Sequence, residues 1–409
     1  MYFFPPIHDR LAWRVENIRA KIIYAFNPPE EAVFVPQAEA PTPLIMTQTL
    51  VSPTATPTLT ITVLAEIYPT STPNPTTIPS TVYLTGIVHE YQKWNNCAPA
   101  NLAMMLSYWG WKGDQRDTAA ALKPNPRDNN VMPDEIVAYV QKNTNLKAIS
   151  RSGGSLDLLK QILAAGFPVL VEKGLDHDNG WIGHYETISG YDDSKQKFIA
   201  QDSFIIPNLP VPYEQMEKDW RAFNNIFIVI YPSERENELK QVMQGYWDSI
   251  YSYQKAYENM KLETQHLSGR NLVFAWFNLG TNAVALEDYP AAAKAYDKYF
   301  ALYSSLPKKD RPWRMMWYQN GPYLAYYYTE RYKDVIALAT VTLGALSEKL
   351  LEEGCYWRAK AKLQIGDEKG AISDFQQAVE RNPFYVPARE ELEKLQPNKL
   401  TGQGNLLLD

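Results

Sequence analysis

Residues 37–80 cannot contribute to a packed core, and this limits what the rest of the chain can build. From residue 41 to residue 80 the sequence is dominated by threonine, proline and serine, as in SPTATPTLTITV and YPTSTPNPTTIPS, and Glu66 is its only charge. Proline removes backbone donors and the small hydroxyl side chains bury little, so the entropy of ordering is not repaid. The stretch is predicted to be a disordered, extended linker. Before it, residues 1–36 form an amphipathic segment in which Leu11, Val15, Ile18 and Ile22 share one helical face opposite Arg and Lys. Such a helix packs on the protein itself or lies beside a membrane. Because nothing on the N-terminal side is large enough to be a domain, the tether is expected to hang from an anchor upstream of Met1. This predicts an extracytoplasmic protein, held at the cell surface or near a membrane.

Folded units are therefore sought after residue 80, and the 409-residue length leaves room for two of them at roughly 100–200 residues each. The net charge of -6 and the absence of clustered Lys and Arg exclude a nucleic-acid partner. No run of about 18 apolar residues exists to make a transmembrane helix. The two cysteines, Cys97 and Cys355, lie in segments of different character and do not indicate a disulfide framework.

Residues 81–232 alternate helical and strand-like patterns and predict an α+β unit. Asn96 is placed to cap a helix over 98–109, Pro133 to open one over 134–142, and Ser155 to cap one over 156–165 that Gly166 ends. Strands are expected over 168–172, 184–190, 197–203 and 225–231. After Pro232 the pattern becomes helical and repetitive. The segment beginning AWFNLGTNAVALEDYP sets Trp276, Leu279, Gly280, Ala292 and Tyr296 at fixed spacing, and Ala371, Phe375, Ala378 and Pro383 repeat its second half. This resembles tetratricopeptide repeats over about residues 270–390, with 235–266 as a capping helix. The resemblance implies an all-α solenoid over residues 235–395, which binds a protein partner or substrate, followed by a tail over 396–409. The aromatic residues between Trp313 and Tyr328 are read as packing, with peptide contact as the alternative. Cys355 falls on the inward side of a repeat helix and is read as core.

The chemistry-bearing pattern lies in the first unit. A cysteine nucleophile needs a lowered thiol pKa, a base within reach and donors for an oxyanion. Cys97 opens an amphipathic run, CAPANLAMMLSYW, which sets its sulfur at a helix N-terminus where the dipole favours thiolate. Gln92 stands five residues earlier, and its amide suits oxyanion donation beside the Cys97 backbone N–H. His184 opens the strand GHYETISGY, and a tight connection leads to the strand holding Asp202. A turn centred near Asp193 would set 184 directly opposite 202. His177, in KGLDHDNG, is read as a surface loop residue. Cation binding by Asp176 and Asp178 beside it is the weaker alternative, since no calcium-loop spacing is present.

Gln-x4-Cys before a helix, Gly-His at a strand start and Asp on the next strand resemble the bacteriocin-processing, double-glycine leader peptidase family of the papain-like clan, over about residues 84–232. The resemblance implies a papain-like cysteine peptidase domain in which Cys97 is the nucleophile, His184 the base and acid, Asp202 the orienting group and Gln92 the oxyanion donor. It implies no metal and no organic cofactor, and a peptide or protein as substrate. Ala98 replaces the glycine that usually follows the nucleophile. No Walker sequence follows either, where well-studied members continue into a transporter. Two alternatives remain open: acyl transfer or side-chain amide hydrolysis by the same triad, as in transglutaminase-like relatives, and a non-catalytic protein-binding scaffold.

Overall fold

The computed structural model describes residues 33–37, 78–125, 130–177, 180–346 and 351–397. Most of the N-terminal segment, the linker and the tail lies outside the described residues, as does Asp178. Among the described residues no helix is long and apolar enough to cross a membrane.

The first half is built on a seven-stranded sheet of β1 (Thr81–Tyr83), β2 (Leu146–Arg151), β3 (Val169–His177), β4 (Gly180–Asp192), β5 (Lys197–Gln201), β6 (Leu209–Pro212) and β7 (Phe227–Pro232). The order is β2-β7-β3-β4-β5-β6, with β1 paired to β4, and every pair is antiparallel. Helices α1 (Cys97–Tyr108), α2 (Gln115–Leu122), α3 (Pro133–Asn143), α4 (Leu156–Ala164) and α5 (Tyr213–Trp220) complete it. One core joins α1 and α3 to the sheet through Leu102, Leu106, Ile136, Leu170 and Ile228. A second joins α4 and α5 to it through Leu159, Val169, Ile188 and Trp220. Burying such side chains contributes about 1.5–3 kcal/mol each.

The local signals work as their chemistry requires, with two corrections. Ser155 accepts from the Leu158 N–H, and Gly166 ends α4 at a φ of +80°, which only glycine adopts without strain. Asn96, expected to cap α1, makes no side-chain cap. Its Oδ1 instead accepts from the Lys123 ammonium at 3.3 Å. His184 does not open a strand but lies inside the 13-residue β4, because Gly180 at φ +93° lets β3 and β4 run on as one long hairpin.

Beyond Pro232 the chain is helical. Glu236–Met243 and Ser249–His266 replace the single helix expected over 235–266, and Gly269–Ala285, Tyr289–Ser305, Gly321–Tyr328, Tyr332–Gly344, Glu352–Gln364 and Glu368–Arg381 follow. The small residues mark close helix approaches: a Cβ on Gly280 would come within 2.7 Å of the Tyr296 ring. Cys355 is fully buried beside Phe375.

The two halves share a core. Trp181 of β4 stacks on Phe223 at 5.7 Å and meets Phe274 and Tyr318 of the helical half at 5.8 and 6.1 Å. Buried polar links reinforce it: Asn224 and Asn282 exchange side-chain hydrogen bonds of 2.7 and 3.0 Å, and Asn278 Nδ2 donates to the Arg221 carbonyl at 2.6 Å. Asp176, weighed above as a cation ligand, is held by Arg270 through bonds of 2.6 and 2.5 Å. His177 sits at the end of β3 opposite Gly180 rather than in a loop.

Candidate active site

Cys97 is the first residue of α1 and only partly buried as a residue, which sets its sulfur at the helix N-terminus. The His184 side chain and the Tyr185 backbone lie close enough to act on its thiol. Burial alone would push the thiol up. The bond and charge of His184, the Tyr185 backbone and the charge of Lys123 outweigh burial and hold the thiol below its usual range.

His184 and Asp202 are almost fully buried, and His184 Nε2 lies 3.1 Å from Asp202 Oδ2. With Nε2 so engaged, Nδ1 is the ring nitrogen left for Cys97. Burial opposes the imidazolium, but the Asp202 carboxylate and the Cys97 sulfur push His184 up to about 10. Asp202 Oδ1 accepts from the Phe204 and Ile205 N–H groups at 2.7 and 2.6 Å, which fixes the carboxylate plane. Against the effect of burial, the charge and hydrogen bond of His184 and the charge of Lys173 hold Asp202 well below the usual carboxylate range.

The two side chains meet by a different route from direct cross-strand pairing. Near the hairpin the register is Asp192↔Lys197, and a bulge between Ile188 and Gly190 shifts it to Ile188↔Ala200 and Thr187↔Gln201. Continued one step, this register sets Asp202 across from Glu186. His184 therefore reaches Asp202 on the diagonal, a span of about 7–8 Å between backbones that an imidazole can bridge.

Gln92 lies close by. Its backbone N–H donates to the Ser203 carbonyl at 2.8 Å, and its Oε1 accepts from the Ser203 hydroxyl at 2.9 Å. That bond assigns the amide orientation and leaves Nε2 as its donor. Asn101, one turn along α1, supports the arrangement by donating through Nδ2 to the Cys97 carbonyl, the Tyr185 carbonyl and the Ser203 hydroxyl at 2.8–2.9 Å. Asn101 and Ser203 were not singled out from sequence. The signal was an asparagine on an otherwise apolar helix that begins at the cysteine.

Two further residues were also missed. Lys173 and Glu186 form an ion pair of 2.7 Å that is nearly closed to solvent. Burial and the charge of Asp202 push the Glu186 carboxyl up to about 7 against the pull of Lys173. Among the described residues no cluster of side chains has the makings of a metal site.

None of the curated proteins matches the chain. Among solved structures, the crystal structure of a C39-like peptidase from Bacillus anthracis aligns with 37% of this chain and 96% of its own, at 19% identity and a TM-score of 0.30. Residues 84–228, the stretch that holds Gln92, Cys97, His184 and Asp202, match the model of the Peptidase_C39 like family.

Proposed function

We propose that residues 81–232 are a cysteine peptidase that hydrolyses peptide bonds, and that the helical repeats of residues 235–395 bind its substrate or a protein partner. The observation that carries the reading is a cysteine at a helix N-terminus, whose thiol is acted on by a histidine with its Nε2 3.1 Å from a buried carboxylate. In the first step the Cys97 thiolate attacks the scissile carbonyl carbon, and the carbonyl π electrons move to oxygen. The resulting oxyanion accepts from Gln92 Nε2 and the Cys97 backbone N–H. The imidazolium of His184 then gives its Nδ1 proton to the leaving nitrogen as the C–N bond breaks, leaving a thioester. Neutral His184 next takes a proton from water, whose oxygen attacks the thioester and expels the thiolate. Asp202 fixes the ring orientation throughout.

The linker and basic N-terminal segment support a placement of this activity outside the cytoplasm, at a membrane surface. The test of function is identification of newly formed protein termini in source-cell extracts treated with the full chain or its Cys97→Ala variant. New termini that depend on Cys97 are expected. Identical terminus sets from both proteins would overturn the peptidase reading.

A further inference from the structure

Between the two halves lies a cavity of about 740 Å³, within the size range of small-molecule and peptide sites. One wall comes from α3, β2 and Glu172 of β3, and the other from the helical half, through Val284, Ala285, Tyr318 and Leu324. The cavity reaches the strand pair that carries His184, where its wall residue Glu172 stands opposite Tyr185. Glu172 and Tyr318, two of its wall residues, both lie close enough to Cys97 to feel its charge. Gly183, next to His184, has no room for a side chain, since a Cβ would stand 2.7 Å from the Phe223 ring and 3.1 Å from that of Tyr318. Phe223 and Tyr318 are themselves cavity wall.

Most of the exposed lining is apolar, with polar side chains such as Asn224, Thr281 and Gln319 set among it. Val137, Ile226, Val284, Ala285 and Leu324 face it. Its charged groups are largely spent: the Arg151 guanidinium donates to the carbonyls of Ser150, Tyr246 and Trp247. Burial and the charge of Cys97 push the Glu172 carboxyl well above the usual carboxylate range. Asp134 stands at the exposed rim. A lining whose charged groups are engaged or at the rim suits a peptide segment with apolar side chains and penalises one that brings a charge without a partner.

We propose that this cavity receives an uncharged, largely apolar segment of the peptide substrate next to the scissile bond, and that the helical half sets specificity by forming its outer wall. The inference rests on the peptidase reading, and the experiment separates the two. Full-length protein is treated with iodoacetamide, with an acetylated tripeptide vinyl sulfone carrying two leucines, and with its counterparts carrying two aspartates or two lysines. Intact mass reports the rate of Cys97 modification. The leucine reagent is expected to react about 10-fold or more faster than either charged one, the advantage of burying one large apolar side chain. Ala285→Trp, which fills the cavity from the helical side, should abolish that advantage while leaving the iodoacetamide rate unchanged. Gln141→Trp, on an exposed position of the opposite wall, guards against a folding defect and should act in the same way. If both variants keep the preference, or a charged reagent reacts fastest, the cavity is not the substrate site even though the thiol is activated. If iodoacetamide modifies Cys97 no faster than a free thiol, the peptidase reading fails and takes the inference with it.

Discussion

Lys173 stands directly across from His184 in the β3–β4 pair, yet its ammonium goes to Glu186, 2.7 Å away. The consequence is a second buried ion pair immediately behind the His184–Asp202 pair, so that the charge state of one conditions the other. Buried pairs of this kind are costly to break, because the partner left behind is an unpaired charge.

Glu186→Gln should therefore move the pH dependence of catalysis as well as stability. The substitution leaves the Lys173 charge uncompensated near His184, which disfavours the imidazolium, so the alkaline limb of kcat/KM should move to lower pH. Adding Lys173→Met removes the excess charge and should return the limb most of the way. A purely structural role would lower the melting temperature of the single variant, by about 3–5 kcal/mol in stability, without this reversal in the pH profile.

Asp202→Asn tests the source of the histidine shift. The Asp202 carboxylate helps hold His184 at about 10 against the effect of burial. With the carboxylate gone, the folded-state value should fall toward the ordinary 6.5, and the imidazolium should be lost on raising the pH through neutrality. The alkaline limb should shift down accordingly, and turnover should drop by up to about 10⁴-fold, as when the carboxylate of a triad is neutralised. An unchanged limb measured by pH-dependent kinetics would remove Asp202 from the orienting role.

Gln92→Ala tests the oxyanion donor. Its Oε1 is fixed by Ser203, so the contact that matters is made by Nε2 and mainly in the transition state. The loss should appear in kcat, by about 2.7–4 kcal/mol or roughly 100- to 1,000-fold, with KM little changed. Alkylation of Cys97 by iodoacetamide needs no oxyanion hole and should proceed at nearly the original rate. Normal turnover would make Gln92 a structural residue of its loop.

Much of this arrangement is legible in the residues. Cys97 opening an amphipathic helix, Gln92 five residues before it and the Ser155 and Gly166 signals are local, and local chemistry reads well from sequence. The His184–Asp202 contact was expected for the wrong geometric reason. Counting back from a turn at Asp193 ignores two features: the four-residue connection that places Gln196 at a φ of +48°, and the bulge next to Gly190. Gly190 is needed because the Val82 carbonyl of β1 passes where a Cβ would be, at 2.3 Å, and nothing near Gly190 in the sequence announces that distant strand. Lys173, Glu186 and Asn101 escaped notice for the same reason. Apart from the Cys97 carbonyl one turn before Asn101, their partners are 13 to 102 positions away in the chain, and their meaning comes from the sheet register, which a single sequence does not specify.

The change of pattern at Pro232 predicts two units, at 81–232 and 235–395, that fold separately, and the shared core leads to a different expectation. Trp181 is 4% exposed and lies in the same cluster as Phe223, Phe274 and Tyr296, so part of the interior of each half is made by the other. Trp181→Ala would leave a cavity in that seam and should cost about 3–5 kcal/mol. If the halves unfold as one unit, calorimetry of the full chain should give a single transition that the variant moves as a whole. Hydrogen exchange should then weaken in the helix Gly269–Ala285 as much as in β4, although Trp181 belongs only to the latter. A second transition that the variant leaves in place, with exchange in the helical half unchanged, would return the two halves to independent folding units joined by a weak interface.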